Sequence, residues 1–352
     1  MVGQNILGTI DARLRDARPG SRDRLFGGLS VVLVGDPAQL PPVKDTPLFV
    51  PTNTKLPAAA QGRAAYLAFQ HVVMLSQVQR QQGDEQFSAL LLRVRDGKGT
   101  IGDHESLVAN RPLPPANATH LFNRRAPAAE YNTATLQSAC GSTGVVALEA
   151  IHSGHVRASR VSSEKAGGLE KVVHLGMNAR VMLTCNVETS CGLVNGAMGT
   201  VVGFARDDEA AGGPPRVVLV RLDRPRSNCP TIPSMDGVVP VERVQRSLGV
   251  YSTRWQFPLM LAGGITIHKS QGQTLDAAVV HLDTAARTPA LAFVAMSRVR
   301  KRSDLYFASG LRLMHIQDQH GTLKARLAEE ARLAALAQSC LVCKLVDISG
   351  VL

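Results

Sequence analysis

The sequence predicts an α/β chain whose parallel-sheet layers are interrupted by a small β-barrel or sandwich. Three observations predict it. Apolar strand-like runs alternate with amphipathic helical stretches from Asn5 to Ile151, the order that parallel strands joined by crossover helices produce. Between about Val172 and Phe257 the alternation stops, and short β-rich pieces follow one another across Gly, Pro, Asn and Asp clusters. From Leu259 the alternation resumes, and its first strand runs straight into a dense polar segment, Thr266 to Asp276.

Each element has a local reason. Ile6, Leu7, Ile10 and Leu14 recur at helical spacing in Asn5 to Arg18, and Pro19-Gly20 stops that helix. A further helix leads into Leu29 to Val34, whose β-branched run predicts a buried parallel strand. A helix over Ala58 to Phe69, a strand His71 to Leu75 and a helix Asp84 to Arg95 follow. Thr119 to Phe122 reads as a strand, Ala126 to Ser138 as a helix and Val145 to Ile151 as a strand. Within the insert the strands are Ala179 to Leu183, Gly199 to Phe204, Arg216 to Leu222 and Val238 to Val244, with turn-rich breaks at Asp207 to Pro215 and Arg224 to Pro233. Ala277 to Leu282 and Asp304 to Phe307 are strands again, and Leu323 to Ala337 is an amphipathic helix. Phe122, Tyr131, Trp255 and Phe257 read as core residues.

Composition narrows the function classes. The 352 residues are 45% hydrophobic and 19% charged, enough for about two domains with cores of their own. A net charge of +11 favours a polyanionic partner, and no apolar run approaches the roughly 18 residues of a membrane span. No secretory signal is visible. Six cysteines are too few for a disulfide scaffold and indicate a reducing, intracellular compartment. Cys340-Leu341-Val342-Cys343 has metal-ligand spacing, but no second pair follows, so no metal site is expected. Aromatic content of 4% leaves few stacking platforms, so a nucleic acid would be held chiefly by charge.

The polar segment Gly264-Ile265-Thr266-Ile267-His268-Lys269-Ser270-Gln271-Gly272 concentrates hydrogen-bond donors after a strand, with a glycine that lets backbone approach a ligand. That is the chemistry of a phosphate-binding turn, and alone it also fits a solvated loop. Three other segments accompany it. Gly35-Asp36-Pro37-Ala38-Gln39-Leu40-Pro41-Pro42-Val43 places Asp36 and Gln39 at the carboxyl edge of a strand, where α/β sheets bind ligands. Leu75 to Gln81 puts Arg80 before a helix, and Phe293 to Arg300 puts Arg298 at the end of an apolar one.

In this order the four segments resemble motifs III, IV, V and VI of superfamily 1B DNA helicases of the Pif type, which are RecD-like. Phe26-Gly27-Gly28, Gly192 to Gly199 and Arg254 to Leu259 resemble the family too. The resemblance implies RecA-like parallel-sheet domains with an inserted small β-barrel: residues 1–78 as the end of the first domain, 79–175 with 259–340 as the second, and 176–258 as the barrel. It also implies an ATP-dependent helicase that uses Mg²⁺ and moves 5′ to 3′ on single-stranded DNA, in replication, recombination, repair or telomere maintenance. A eukaryotic source would place it in the nucleus or mitochondrion. Gly35, Asp36, Gln39, Arg80, Gln271, Gly272 and Arg298 would face the nucleotide, with Gln39 sensing the γ-phosphate and Arg80 and Arg298 neutralising it. Asp36 would lie near Mg²⁺-bound water or be hydrogen-bonded within its turn. Thr266, His268, Lys269 and Ser270 would meet DNA phosphates.

Departures from the family pattern accompany the matches. No G-x-x-x-x-G-K-[ST] loop occurs, the one Gly-Lys pair being Gly97-Lys98, and the doublet Asp84-Glu85 follows no apolar strand. The chain is therefore expected to be a helicase cut just after motif II, without ATPase activity of its own. Gln79 stands where an aromatic residue is usual, and Met296 where leucine is. Ala262-Gly263-Gly264 replaces Ala-Trp-Ala, which is expected to loosen the strand into motif V. The competing expectations are a non-catalytic nucleic-acid-binding relic and the helicase half of a conjugative relaxase.

Overall fold

In a computed structural model the chain divides into two compact units, residues 1–112 with 282–352, and residues 113–281. The described residues are 2–52, 55–109, 112–141, 144–154, 159–206, 213–225, 231–232, 235–249, 251–283, 286, 289–308, 310–318, 321 and 323–339. Met1, Cys229, most of the two expected insert breaks and the Cys340–Cys343 pair lie outside them.

The first unit opens with α1 (Gln4–Ala17) packed on α2 (Pro57–Leu67). Glycines allow that contact: a Cβ at Gly8 would stand 1.8 Å from the Ala58 carbonyl oxygen, and one at Gly62 1.9 Å from that of Gln4. Leu7, Phe26, Ala65 and Tyr66 form the core beside them. Asp11 on α1 is fully buried. Burial alone would raise its carboxyl, but the Phe26 amide, Gln61 and Arg15 all donate to it and hold it below the ordinary carboxylate range. These bonds secure the Phe26-Gly27 turn, where φ is 52° and 60°.

α3 (Glu85–Arg95) is capped by Asp84, which accepts from the Phe87 amide at 3.0 Å. α4 (Ile101–Val108) was not among the expected helices, although Thr100 and Asp103 form a capping box at its start. α6 (Pro289–Met296), a short strand Leu305–Phe307 and α7 (Lys324–Ser339) complete the unit.

Two expected strands do not form. Leu29 to Val34 and His71 to Leu75 have no regular secondary structure and join no ladder among the described residues. Val32 and Val34 are 86% and 85% exposed. β-branched residues favour extended backbone locally, but a strand exists only when a neighbour takes its amides and carbonyls.

In the second unit β1 (Thr119–Phe122) pairs in parallel with β12 (Gly264–Thr266) on one side and β13 (Ala278–His281) on the other. α5 (Arg125–Cys140) packs on β1 and β12. The rest of the unit is antiparallel. β11 (Leu259–Leu261), β5 (Arg180–Leu183), β6 (Met198–Ala205), β7 (Val217–Leu222) and β8 (Val238–Glu242) form one sheet in that order. β3 (Ile151–Ser153), β10 (Thr253–Gln256) and β9 (Val244–Ser247) form a second, and β2 (Val146–Glu149) pairs with β4 (Val172–Leu175). Leu148, Val181, Leu183, Val201, Val220 and Phe257 share one core.

The strands expected over Val145 to Ile151 and Val238 to Val244 are each divided between two sheets. At the second break Arg243 turns away to lie over the Phe257 ring, 4.4 Å from its centroid, and donates to the Pro215 carbonyl. Trp255, expected in the core, is 42% exposed on β10. Its neighbour Arg254 is fully buried instead, donating to the Val161 and Leu169 carbonyls and to His152.

Candidate functional site

The predicted residues fall in both units. In the first, Asp36 closes its own turn: its carboxylate accepts from the Ala38 amide at 2.9 Å, and its carbonyl accepts from the Gln39 amide at 3.1 Å. The carboxylate also takes Arg95 Nη2 at 3.0 Å, and Arg95 is shared with Glu330 of α7 at 2.7 Å. Of the two places expected for Asp36, the structure shows the hydrogen-bonded turn. Gln39 is half-buried beside it, and Gly35 is exposed with open space where a Cβ would stand.

Arg80 and Arg298, distant in sequence, meet at the carboxyl end of α6. Val294, Ala295 and Met296 anchor that end, fully buried. Arg298 curls back over it, donating from Nε to the Val294 carbonyl at 2.7 Å and from Nη2 to the Ser297 hydroxyl at 2.7 Å. Arg80 Nη1 donates to the Ser297 carbonyl at 2.7 Å. Arg298 is 4% exposed; burial, with Arg80 beside it, lowers its guanidinium to about 10. Burial and Arg300 lower Arg80 as well. Both acceptors of Arg298 are neutral. Gln81, which the sequence reading passed over, is buried and donates to the Val299 carbonyl at 2.7 Å, fixing the loop that carries the pair.

The Gly97-Lys98 pair is a helix end. Gly97 has φ +66° just past α3, and the Lys98 amide donates to the Arg93 carbonyl at 2.8 Å. Asp84-Glu85 is the start of the same helix, as its capping bond shows.

In the second unit the motif V turn leaves β12 and is tied to β1, the Ile267 amide donating to the Phe122 carbonyl at 2.8 Å. The Lys269 amide donates to the Thr266 hydroxyl at 3.2 Å, and the Ser270 hydroxyl to the Ile267 carbonyl at 2.8 Å. Ser270 is fully buried, which corrects its expected place among the DNA contacts: its hydroxyl is committed to the turn. His268 is exposed, with Thr266, Lys269 and Gln271 half-buried. Desolvation and the nearby Arg125 lower the His268 imidazole, so it is neutral at pH 7. Gly272 has φ +81° with open space at the Cβ position, so the backbone is accessible where the turn ends.

The strand into this turn is held rather than loosened. Asn132 of α5 donates to the Gly264 carbonyl and accepts from its amide, both at 2.7 Å. A Cβ at Gly264 would meet Phe122 at 2.8 Å and Tyr131 at 2.9 Å, so here the ring of α5 occupies the space beside the strand.

The turn borders a cleft of about 630 Å³, with Arg180, Asn195, Arg224 and Asp276 among its other lining residues. Asn195 is presented by the Gly192 to Gly199 turn, where Gly196 has φ +95°, and it accepts from Lys269 Nζ at 3.4 Å. Neither Arg180 nor Arg224 was singled out in the sequence, because each stands outside any local motif.

Residues 1–105 match the family model described as "PIF1-like helicase". The human ATP-dependent DNA helicase PIF1 is 32% identical over 312 residues, spanning 87% of this chain and 44% of that protein. The Bdellovibrio bacteriovorus ATP-dependent DNA helicase Pif1 is 33% identical over 292 residues, 80% of this chain and 58% of that protein. This chain is similar to PIF1-like helicases. It spans under half the length of the Xenopus, mouse, zebrafish and human members that it matches. Solved members share its fold. The Pif1 helicase of Candida albicans superposes with a TM-score of 0.72 at 24% identity, over 94% of this chain and 75% of that one. Bacteroides Pif1 bound to ssDNA gives 0.63 at 24% identity, over 94% and 74%.

Proposed function

We propose that this chain is the C-terminal portion of an ATP-driven DNA helicase moving 5′ to 3′ on single-stranded DNA. In this reading residues 1–78 end the first RecA-like domain, 79–175 with 259–340 make the second, and 176–258 serve as the small β-barrel. The observation that carries it is the Arg80–Arg298 pair. Two guanidiniums converge on one serine, and the buried one has only neutral acceptors, an arrangement that a phosphoryl group would complete. Such arginines contribute roughly 10³- to 10⁵-fold to phosphoryl transfer where a finger has been measured.

ATP, when bound, would supply the phosphoryl group, and Mg²⁺ would offset part of its negative charge. Asp36, held by Arg95 and the Ala38 amide, does not fit a metal ligand, so the ion would rest with residues of the whole protein. Gln39 senses the nucleotide from the same turn. Thr266, His268 and Lys269 hold DNA phosphates, which fixes register without reading sequence. In this reading the helicase serves DNA replication, recombination, repair or telomere maintenance.

The test joins residues 1–352 to an upstream segment carrying the P-loop and the acidic pair. That protein should hydrolyse ATP in response to single-stranded DNA, and Arg298→Ala should abolish turnover while leaving DNA affinity within about twofold. The 352-residue chain alone should show no such hydrolysis. Equal DNA loss in Arg298→Ala and Lys269→Ala would refute this division of roles and favour the non-catalytic binding module.

A further inference from the structure

The two arginines of the cleft beside the motif V turn, Arg180 and Arg224, are already engaged by carboxylates of the same cleft. Arg180 makes a two-pronged pair with Asp223, Nη1 to Oδ1 and Nη2 to Oδ2, both at 2.7 Å. That is the fork in which a guanidinium holds a phosphate. Arg224 pairs with Asp276, which ends the motif V segment. Lys269, by contrast, is met by the neutral amide oxygen of Asn195.

We propose that Asp223 and Asp276 are built-in competitors for the phosphates of a nucleic-acid strand, setting how tightly and how selectively this cleft binds. The proposal rests on the reading that the cleft binds single-stranded DNA. Both pairs are partly open to water, with side-chain exposures of 21% and 32% for Arg180 and Asp223, and 47% and 64% for Arg224 and Asp276. Pairs this exposed are weak enough for a polyanion to displace. A single phosphate can displace one carboxylate at a time, whereas a strand spanning the cleft displaces both. The cleft thereby favours a polymer over free phosphate or nucleotide. Each displaced carboxylate also stays nearby and repels the incoming strand, which weakens binding further.

The experiment measures anisotropy of a labelled oligo-dT of about 16 nucleotides with the 352-residue chain, over a salt series. Asp276→Asn and Asp223→Asn should each bind roughly three- to tenfold tighter at low salt, by loss of the competing pair and its repulsion. Each should also steepen the log–log salt slope by up to about 0.7, since no freed carboxylate is left to take up a counterion as the strand binds. Asp16→Asn is the control for net charge: Asp16 forms an exposed pair with Arg22 in the other unit, and its substitution should leave affinity unchanged. Asp276 is exposed, so its variant decides the matter even where Asp223→Asn loosens the sheet. Wild-type binding with no gain in Asp276→Asn overturns the competitor proposal alone, as does an equal gain in Asp16→Asn. No binding by the wild type or either cleft variant overturns the DNA reading of the cleft together with it.

Discussion

Asn132→Ala should destabilise the unit that carries the motif V turn. Asn132 is 9% exposed and bonds both backbone groups of Gly264 at 2.7 Å. It stands where a neighbouring strand would otherwise pair with β12, whose other edge is taken by β1. Removing it strands a buried amide and a buried carbonyl, each costing about 1–3 kcal/mol. Partial access of water at this edge brings the sum to about 2–4 kcal/mol. For a unit of this size that corresponds to a fall in Tm of roughly 4–16 °C. Thermal and urea unfolding measure the loss, and hydrogen exchange at the Ile265 and Ile267 amides locates it. Asn132→Asp refines the test, because its carboxylate keeps the bond from the Gly264 amide but faces the Gly264 carbonyl with no proton to give. Burial and that carbonyl raise the folded-state pKa of the new carboxyl, so its deficit should be largest well above that pKa and shrink as pH falls through it. An Asn132→Ala protein melting within about 1 °C of wild type, with no change in exchange at Ile265, would refute the reasoning.

Lys269→Ala should weaken oligonucleotide binding and flatten the salt slope by about 0.7, while His268→Ala weakens every sequence alike without moving the slope at pH 7. The depressed His268 imidazole is neutral there, so wild-type binding should tighten only as pH falls through that lowered pKa and the ring gains its proton; anisotropy over pH and salt checks both. Gly62→Ala should destabilise the first unit by about 1–3 kcal/mol or more, although glycine to alanine in a helix ordinarily stabilises by about 1 kcal/mol. Its new Cβ has no room against the Gln4 carbonyl, and a urea midpoint at or above wild type would count against that packing.

Much of this protein is legible from local pattern. Helices α1, α2, α3 and α5 lie within a few residues of their expected bounds, because apolar spacing, Asp84 and the Pro19-Gly20 stop act over one or two turns of chain. The motif V turn is legible for the same reason, since Thr266 and Ser270 shape it through bonds spanning three or four residues and Gly272 supplies its positive φ.

Pairing and burial are not local. Val31 to Val34 has the composition of a buried strand and joins no ladder among the described residues, because β propensity states a preference that only a partner can satisfy. Ser270 and His268 are two residues apart in one polar run, yet one is fully buried and the other exposed, a distinction set by how the turn seats on β1. Sequence by itself determined the family resemblance, most of the helices and the residue types of both candidate sites, since these depend on local order along the chain. Tertiary structure alone decided that Arg80 meets Arg298, that Asn132 replaces a neighbouring strand for Gly264, and that Asp223 and Asp276 claim the cleft arginines. Those contacts join residues far apart in sequence, and no local spacing encodes which of many possible partners the folded chain brings within hydrogen-bond reach.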